Sequence, residues 1–248
     1  MGKMIEKAAN DKGHQIVAIV DPQFKESSTL MGTGTYTSIA ESNELNGADV
    51  AIEFTVPATA LANIQALAAL KIPAVIGTTG WHDKLDEVKK IVAGAGSLLL
   101  WSSNFSIGVN AFYRMAWYAS QLMNLFPEYD IGGFEAHHNK KLDSPSGTAK
   151  TLVEGVLTRI ERKKTAVWET LERAPAPEEL HYPSLRLGSV PGTHSLIFDS
   201  AADTIELTHT ARSREGFALG AVRAAEWLPG KKKGVFTIDD MLKDMMGI

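Results

Sequence analysis

The stretch Glu135-Ala136-His137-His138-Asn139-Lys140-Lys141-Leu142-Asp143-Ser144-Pro145-Ser146-Gly147-Thr148-Ala149 gathers two histidines, two lysines and the start of a helix. Ser146-Gly147-Thr148 after Pro145 has the form of a helix N-terminus, and Leu152 and Val156 continue it at helical spacing. The first backbone N–H groups of a helix lack intrahelical partners and carry the positive end of its dipole, so they favour an anion. Imidazoles and an ammonium beside such an end can hold carboxylates and also supply a proton. Those two tasks together point to an enzyme.

The preceding residues, Asp130 to Glu135, read as a strand, where neighbouring side chains face opposite sides. If the strand persists, only one of His137 and His138 shares a face with Glu135. Glu135, His137, His138 and Asp143 offer ligands for a metal, but Lys140 and Lys141 would repel a cation, and no metal is expected. His14, His82, His181, His194 and His209 have no comparable neighbours and read as surface or satisfied core histidines.

Three weaker signals lie nearer the N-terminus. Gly77-Thr78-Thr79-Gly80 follows the apolar run Ala74 to Ile76, at the place where open parallel sheets bind ligands; it reads equally as a glycine turn with a threonine cap. Asp21 ends the run Ile16 to Val20, where a dinucleotide fold offers an acid to a ribose, or where a solvated Asp-Pro turn stands; Lys25 is a phosphate contact or a surface charge. Asn104, in the polar loop after Leu98 to Trp101, can hydrogen-bond a nicotinamide or a substrate, or close the loop. Phe112, Met115 and Tyr118 at helical spacing read as core or subunit interface.

These loops need a frame. Met1, Met4, Ile5, Ala8 and Ala9 recur at helical spacing up to Gly13; apolar runs at Ile16–Val20, Val50–Phe54, Ala74–Ile76 and Leu98–Trp101 then alternate with helical stretches from Ala58 to Leu70 and from His82 to Ala93. That alternation predicts a parallel sheet with helices on both faces. In the second half, Tyr182 to Val190, Thr193 to Asp199 and Thr204 to His209 are strand-like, with links short enough for antiparallel neighbours, and a helix is predicted from Glu215 to Trp227. Val167 to Pro183, with Pro175 and Pro177, reads as an exposed excursion.

Composition sets the outer limits. A chain of 248 residues, 44% hydrophobic, can bury the cores of two lobes. The formal net charge is −4 and no long basic stripe occurs, which argues against nucleic acid; Lys231-Lys232-Lys233, between Pro229-Gly230 and Gly234, reads as a solvated turn. The absence of cysteine excludes disulfides, thiol nucleophiles and cysteine-held metal clusters. No signal-peptide core opens the chain and no run nears the roughly 18 apolar residues of a membrane span, so no membrane association and a cytoplasmic location are expected.

Together these segments resemble the 4-hydroxy-tetrahydrodipicolinate reductase family, formerly dihydrodipicolinate reductase. Residues 135–149 reproduce its signature E-[AL]-H-H-x-x-K-x-D-x-P-S-G-T-A, except that Ser144 stands where alanine is usual. Phe54-Thr55-Val56-Pro57, Gly77 to Gly80, Asn104 to Asn110, Arg186-Leu187-Gly188, Gly192-Thr193-His194, His209 to Arg214 and Phe217 to Ala221 match in order. The resemblance implies an α/β fold: a Rossmann-like cofactor domain, residues 1–107 and 217–248, and a smaller α+β domain with a mixed sheet, residues 108–216, that assembles a homotetramer. It implies hydride transfer from NADH or NADPH to a cyclic imine dicarboxylate. By motif, His137 and Lys141 become proton-transfer residues, while His138, Gly147 and Thr148 hold the substrate carboxylates. Cofactor contacts fall on Met1, Asp21, Gly77, Thr78, Thr79, Ser103, Asn104 and Phe105.

One departure carries a structural expectation. The family opens with a strand and a glycine-rich turn, G-x-x-G-[RK]-M-G, of which Met1-Gly2-Lys3-Met4 matches only the last part. Loss of that central strand leaves a gap between its neighbours, so either the true start lies upstream or the cofactor binds poorly. Two other classes fit parts of the sequence: a catalytically silent dicarboxylate-binding or oligomerising protein, and a metal-dependent hydrolase built on His137 and His138.

Overall fold

The computed structural model describes residues 1–24, 28–30, 33–39, 45 and 47–247; Lys25 lies outside them. The elements run α1 (Gly2–Asp11), β1 (Ala18–Val20), β2 (Ser28–Leu30), β3 (Thr33–Tyr36), β4 (Ala51–Glu53), α2 (Pro57–Ala69), β5 (Ala74–Ile76), α3 (Leu85–Ala95) and β6 (Leu98–Trp101). They continue with α4 (Ile107–Met123), β7 (Asp130–His137), α5 (Gly147–Leu157), β8 (Thr165–Val167), β9 (Glu179–His181), β10 (Ser184–Arg186), β11 (Thr193–Asp199) and β12 (Thr204–Thr210). The chain closes with α6 (Glu215–Trp227), β13 (Gly234–Thr237) and α7 (Ile238–Met246). Two compact units result, Met1–Ser106 with Phe217–Ile248, and Ile107–Gly216.

In the first unit a four-stranded sheet, β13-β6-β5-β4, is parallel throughout. The continuous apolar run of β5 is buried at every residue, as a strand covered on both faces must be. Ile64 and Leu67 of α2 and Val88 and Val92 of α3 pack into its core with Ile76, Trp81 and Leu99. The apolar stripe Ile5, Ala8 and Ala9 of α1 meets Ala218 and Val222 of α6, with Ile52 and Phe54 beside them. Strand β13 went unrecognised in the sequence, although its successor α7 opens on a capping box between Thr237 and Asp240.

Among the described residues, strand β1 ends a sheet of order β1-β3-β2 and β4 ends the other, with no pairing between the two. The run Ile16–Val20 was expected as a buried strand, but pairing covers only three residues, all half-buried, and among the described residues β1 has a strand on one side only.

The second unit holds the sheet β10-β7-β11-β12. β7, β11 and β12 are antiparallel neighbours, whereas β10 runs parallel to β7. Tyr182 to Val190 is therefore not one strand beside β11: Pro183 cannot donate to a ladder and Gly188 turns at φ 51°, so only Ser184–Arg186 pairs, on the far side of β7. Nor is the stretch from Val167 to Pro183 simply exposed, since β8 and β9 pair and Leu180 and Tyr182 are fully buried. Helices α4 and α5 cover one face with Phe112, Ala116, Leu152, Val153 and Val156 packed against Leu196 and Phe198. Phe112 is core as expected, while Met115 and Tyr118 are exposed.

Candidate active site

The register of the mixed sheet lays polar side chains in rows. Ser184 of β10 pairs with Glu135 of β7, Glu135 with His194 of β11, and His194 with His209 of β12, so the four face the same side. Two residues on, Arg186 pairs with His137. Two residues back, Gly133, Leu196 and Leu207 continue the row, and Leu196 and Leu207 join the apolar core. The polar rows thus begin where the core ends. Strand β7 does persist through His137, which puts that ring, and not His138, on the face of Glu135.

Glu135 is fully buried, and an unpaired carboxylate there would cost several kcal/mol. Its Oε1 accepts from Ser146 N at 2.9 Å, Ser184 Oγ at 2.7 Å and Arg186 Nη2 at 3.1 Å. Its Oε2 accepts from Ser146 Oγ and lies 3.2 Å from His137 Nδ1. Burial pushes the Glu135 carboxyl up, but the contacts from His137, Ser146 and Ser184 outweigh it and hold the group well below the usual carboxylate range. His194 Nδ1 stands 3.9 Å from the same Oε2, and its ring meets His137 edge-on, with centroids 5.2 Å apart. Burial pushes His194 down to about 4, against the pull of Glu135, so the ring is neutral at neutral pH. Burial also lowers His209.

Ser146 explains why the helix starts here. Its extended backbone places Oγ to accept from Ala149 N at 3.1 Å, capping α5, while the same hydroxyl donates to Glu135. Gly147 and Thr148 are the first two residues of the helix, and Tyr113 Oη donates to Thr148 O at 3.2 Å. The loop before the cap is tied at both ends. Lys141 N bonds His138 O, Lys141 Nζ lies 2.8 Å from Asp143 Oδ1, and Arg186 Nη2 donates to Asp143 O at 2.7 Å. The hydrogen bond from Lys141 lowers the Asp143 carboxyl. His138 is half-buried, and its Nδ1 has no hydrogen-bond partner among the described residues.

Sequence inspection passed over two members of this site. His194 was grouped with surface or core histidines, yet it adjoins both Glu135 and His137; the cross-strand register that brings it there is not visible in a linear chain. Arg186 was noted only within a motif. Glu135, His137 and His194 place one ligand atom each within 4.8 Å of one another, a spacing a divalent cation could use. The lone pairs of Glu135 are already engaged by Ser146, Ser184 and the Arg186 guanidinium, so the cluster is a hydrogen-bond and ion-pair network around a carboxylate.

In the first unit, the loops after β4, β5 and β6 leave the carboxyl ends of parallel strands. Thr78 Oγ1 accepts from Thr55 N at 2.7 Å, Thr78 O accepts from Trp81 Nε1 at 2.7 Å, and Gly77 N donates to Glu53 O at 2.8 Å. Thr79, Gly80 and Ser103 are exposed beyond this lattice, Asn104 Oδ1 accepts from Ser106 N at 2.9 Å, and the buried Phe105 ring packs 5.8 Å from Phe54. Gly77 to Gly80 is therefore a stiffened turn whose Thr79 and Gly80 are open to solvent beyond the carboxyl end of β5. Asp21 Oδ1 accepts from Gln23 N at 2.9 Å, a turn cap, and Met1 is the N-cap of α1; no hydrogen bond among the described residues joins either to the loop cluster. Exposed threonine and serine hydroxyls with glycine backbone suit the amide and phosphate oxygens of a pyridine dinucleotide. Among the described residues, no helix is long and apolar enough to cross a membrane.

A family model described as "Dihydrodipicolinate reductase, N-terminus" matches residues 1–105, and its partner, "Dihydrodipicolinate reductase, C-terminus", matches residues 108–242. Among curated proteins, the 4-hydroxy-tetrahydrodipicolinate reductase of Christiangramia forsetii is 39% identical over 99% of this chain and 95% of its own length. The protein of that name from Akkermansia muciniphila is 36% identical over 98% and 93%. Among solved structures, a dipicolinate-bound dihydrodipicolinate reductase from Paenisporosarcina sp. TG-14 shares the fold at TM-score 0.76 and 21% identity, over 95% of this chain and 92% of that one.

Proposed function

The chain belongs to the dihydrodipicolinate reductase family, and we propose that it transfers hydride from NADH or NADPH to a cyclic unsaturated imine dicarboxylate, giving tetrahydrodipicolinate for lysine and diaminopimelate synthesis. The single observation that carries the substrate half is the unbroken run of contacts Lys141, Asp143, Arg186, Glu135, Ser146, which fixes an ammonium and a histidine strand to the start of α5. In this reading His138 and the backbone N–H groups of Gly147 and Thr148 grip the substrate carboxylates. His137 and Lys141 deliver the proton that the reduced imine takes up.

The nicotinamide cofactor supplies the hydride when bound. Gly77, Thr78, Thr79, Ser103, Asn104 and Phe105 of the first unit hold and orient it, with Met1 and Asp21 contributing at the start of α1 and the end of β1. Residues 1–107 with 217–248 then form the cofactor domain and 108–216 the substrate and assembly domain of a cytoplasmic homotetramer whose small-molecule partner is the dicarboxylate. The test is a steady-state assay following reduced nucleotide. Lys141→Ala and His137→Ala each lower turnover by about 10²-fold or more, the scale of a lost proton-transfer group. Unchanged turnover in both variants removes the assigned roles.

A further inference from the structure

Glu135 has no assigned part in the reaction, yet it is the most heavily bonded side chain around His137. Donors reach it from Ser184 and Arg186 of β10 and from Ser146 at the start of α5, and the His137 and His194 rings stand 3.2 and 3.9 Å from its Oε2. The charged and titratable groups facing His137 are Glu135 on its own strand, Arg186 on β10 and His194 on β11, with His209 beyond on β12 and Lys141 and Asp143 in the loop. Only one of them, Glu135, is a carboxylate in contact with the ring. The approach to Nδ1 is off the N–H axis, so it is an ion-pair contact rather than a straight hydrogen bond. Even off that axis, a carboxylate oxygen 3.2 Å away favours a proton on Nδ1 over a bare nitrogen.

The other ring nitrogen has a different neighbour. Nε2 lies against Gly192, whose Cβ, if it had one, would come within 3.0 Å of it. We propose that Glu135 is a positioning residue that keeps the proton of His137 on Nδ1, leaving Nε2 as the nitrogen that exchanges a proton with the ligand. It also ties that ring, Arg186 and the α5 N-terminus into one unit. The catalytic consequence rests on the reductase reading; the ring assignment does not.

The experiment is nitrogen NMR of the full chain labelled at histidine, with His137 assigned by His137→Gln. A proton on Nδ1 in the wild-type chain is the expected result, and a bare Nδ1 overturns the proposal whatever any variant does. Glu135→Gln, which keeps the side-chain size, is expected to lose the Nδ1 preference; retention of it in a folded variant also overturns the proposal. In the assay Glu135→Gln lowers kcat about tenfold or more, with KM for the nucleotide unchanged, the pattern of a ring held in the wrong tautomer. A wild-type chain with Nδ1 protonated but no reductase activity overturns the function and supports the assignment of Glu135.

Discussion

Gly192, just before β11, lies against the His137 ring and has φ 154°, a backbone angle that side chains rarely adopt. A methyl group there would stand 3.0 Å from Nε2, so the imidazole must give by a few tenths of an ångström. Gly192→Ala, strained in φ and crowding the ring, is therefore expected to lower kcat/KM about tenfold or more. Equal rates in the variant and the parent, with the chain folded, dispose of this reading. At this scale much of the site was legible: residue types and spacing alone assembled His137, His138, Lys141 and the helix start. What was not legible was the neighbour across the strand. His194 and Arg186 lie far along the chain from Glu135, and only pairing of β10, β7 and β11 brings them within reach.

At the scale of elements, the row Ser184, Glu135, His194, His209 makes the sheet sensitive to acid. The folded His194 ring, at about 4, binds its proton less readily than an unfolded histidine near 6.5, so acid protonates the unfolded chain first. Its stabilising contribution is fully present above about pH 6.5 and is lost as pH falls towards 4, by on the order of 3 kcal/mol at most. Glu135 acts lower down: its folded carboxyl is depressed, so its contribution is present above the unfolded value of about 4.3 and is lost as pH falls further. Urea midpoints measured from pH 7 to pH 4 should fall steadily, and His194→Gln should flatten that slope. A wild-type midpoint that stays level over the range contradicts the account. The elements themselves were read well where local pattern decides them. Ala74 to Ile76, Leu98 to Trp101 and Glu215 to Trp227 stand where periodicity placed them. The failures, β10 and β13, are short segments whose identity depends on a distant partner strand.

At the scale of the whole molecule, the second unit exposes apolar side chains that bear on the proposed assembly. Met115 and Tyr118 of α4, and Leu125 just past its end, are 56%, 71% and 71% exposed, a run of large apolar side chains that an isolated chain would leave in water. Light scattering is expected to give about four times the 26.8 kDa of one chain, and Tyr118→Glu to reduce it. A parent species of single-chain mass rules out the homotetramer.

The first unit is assembled from two separate stretches of the polypeptide, with all of the second unit between them. A Cβ at Gly220 would collide with Phe105 O, so α6 lies directly on the backbone of the loop that carries Asn104. Strand β13 then completes the parallel sheet beside β6. On the ribosome, which releases the chain from its N-terminus, order is inverted. The continuous unit has every residue it needs once Gly216 has emerged, whereas the unit that contains Met1–Ser106 must wait for α6 and β13. Its loops acquire their final support only after the whole of the second unit has been made.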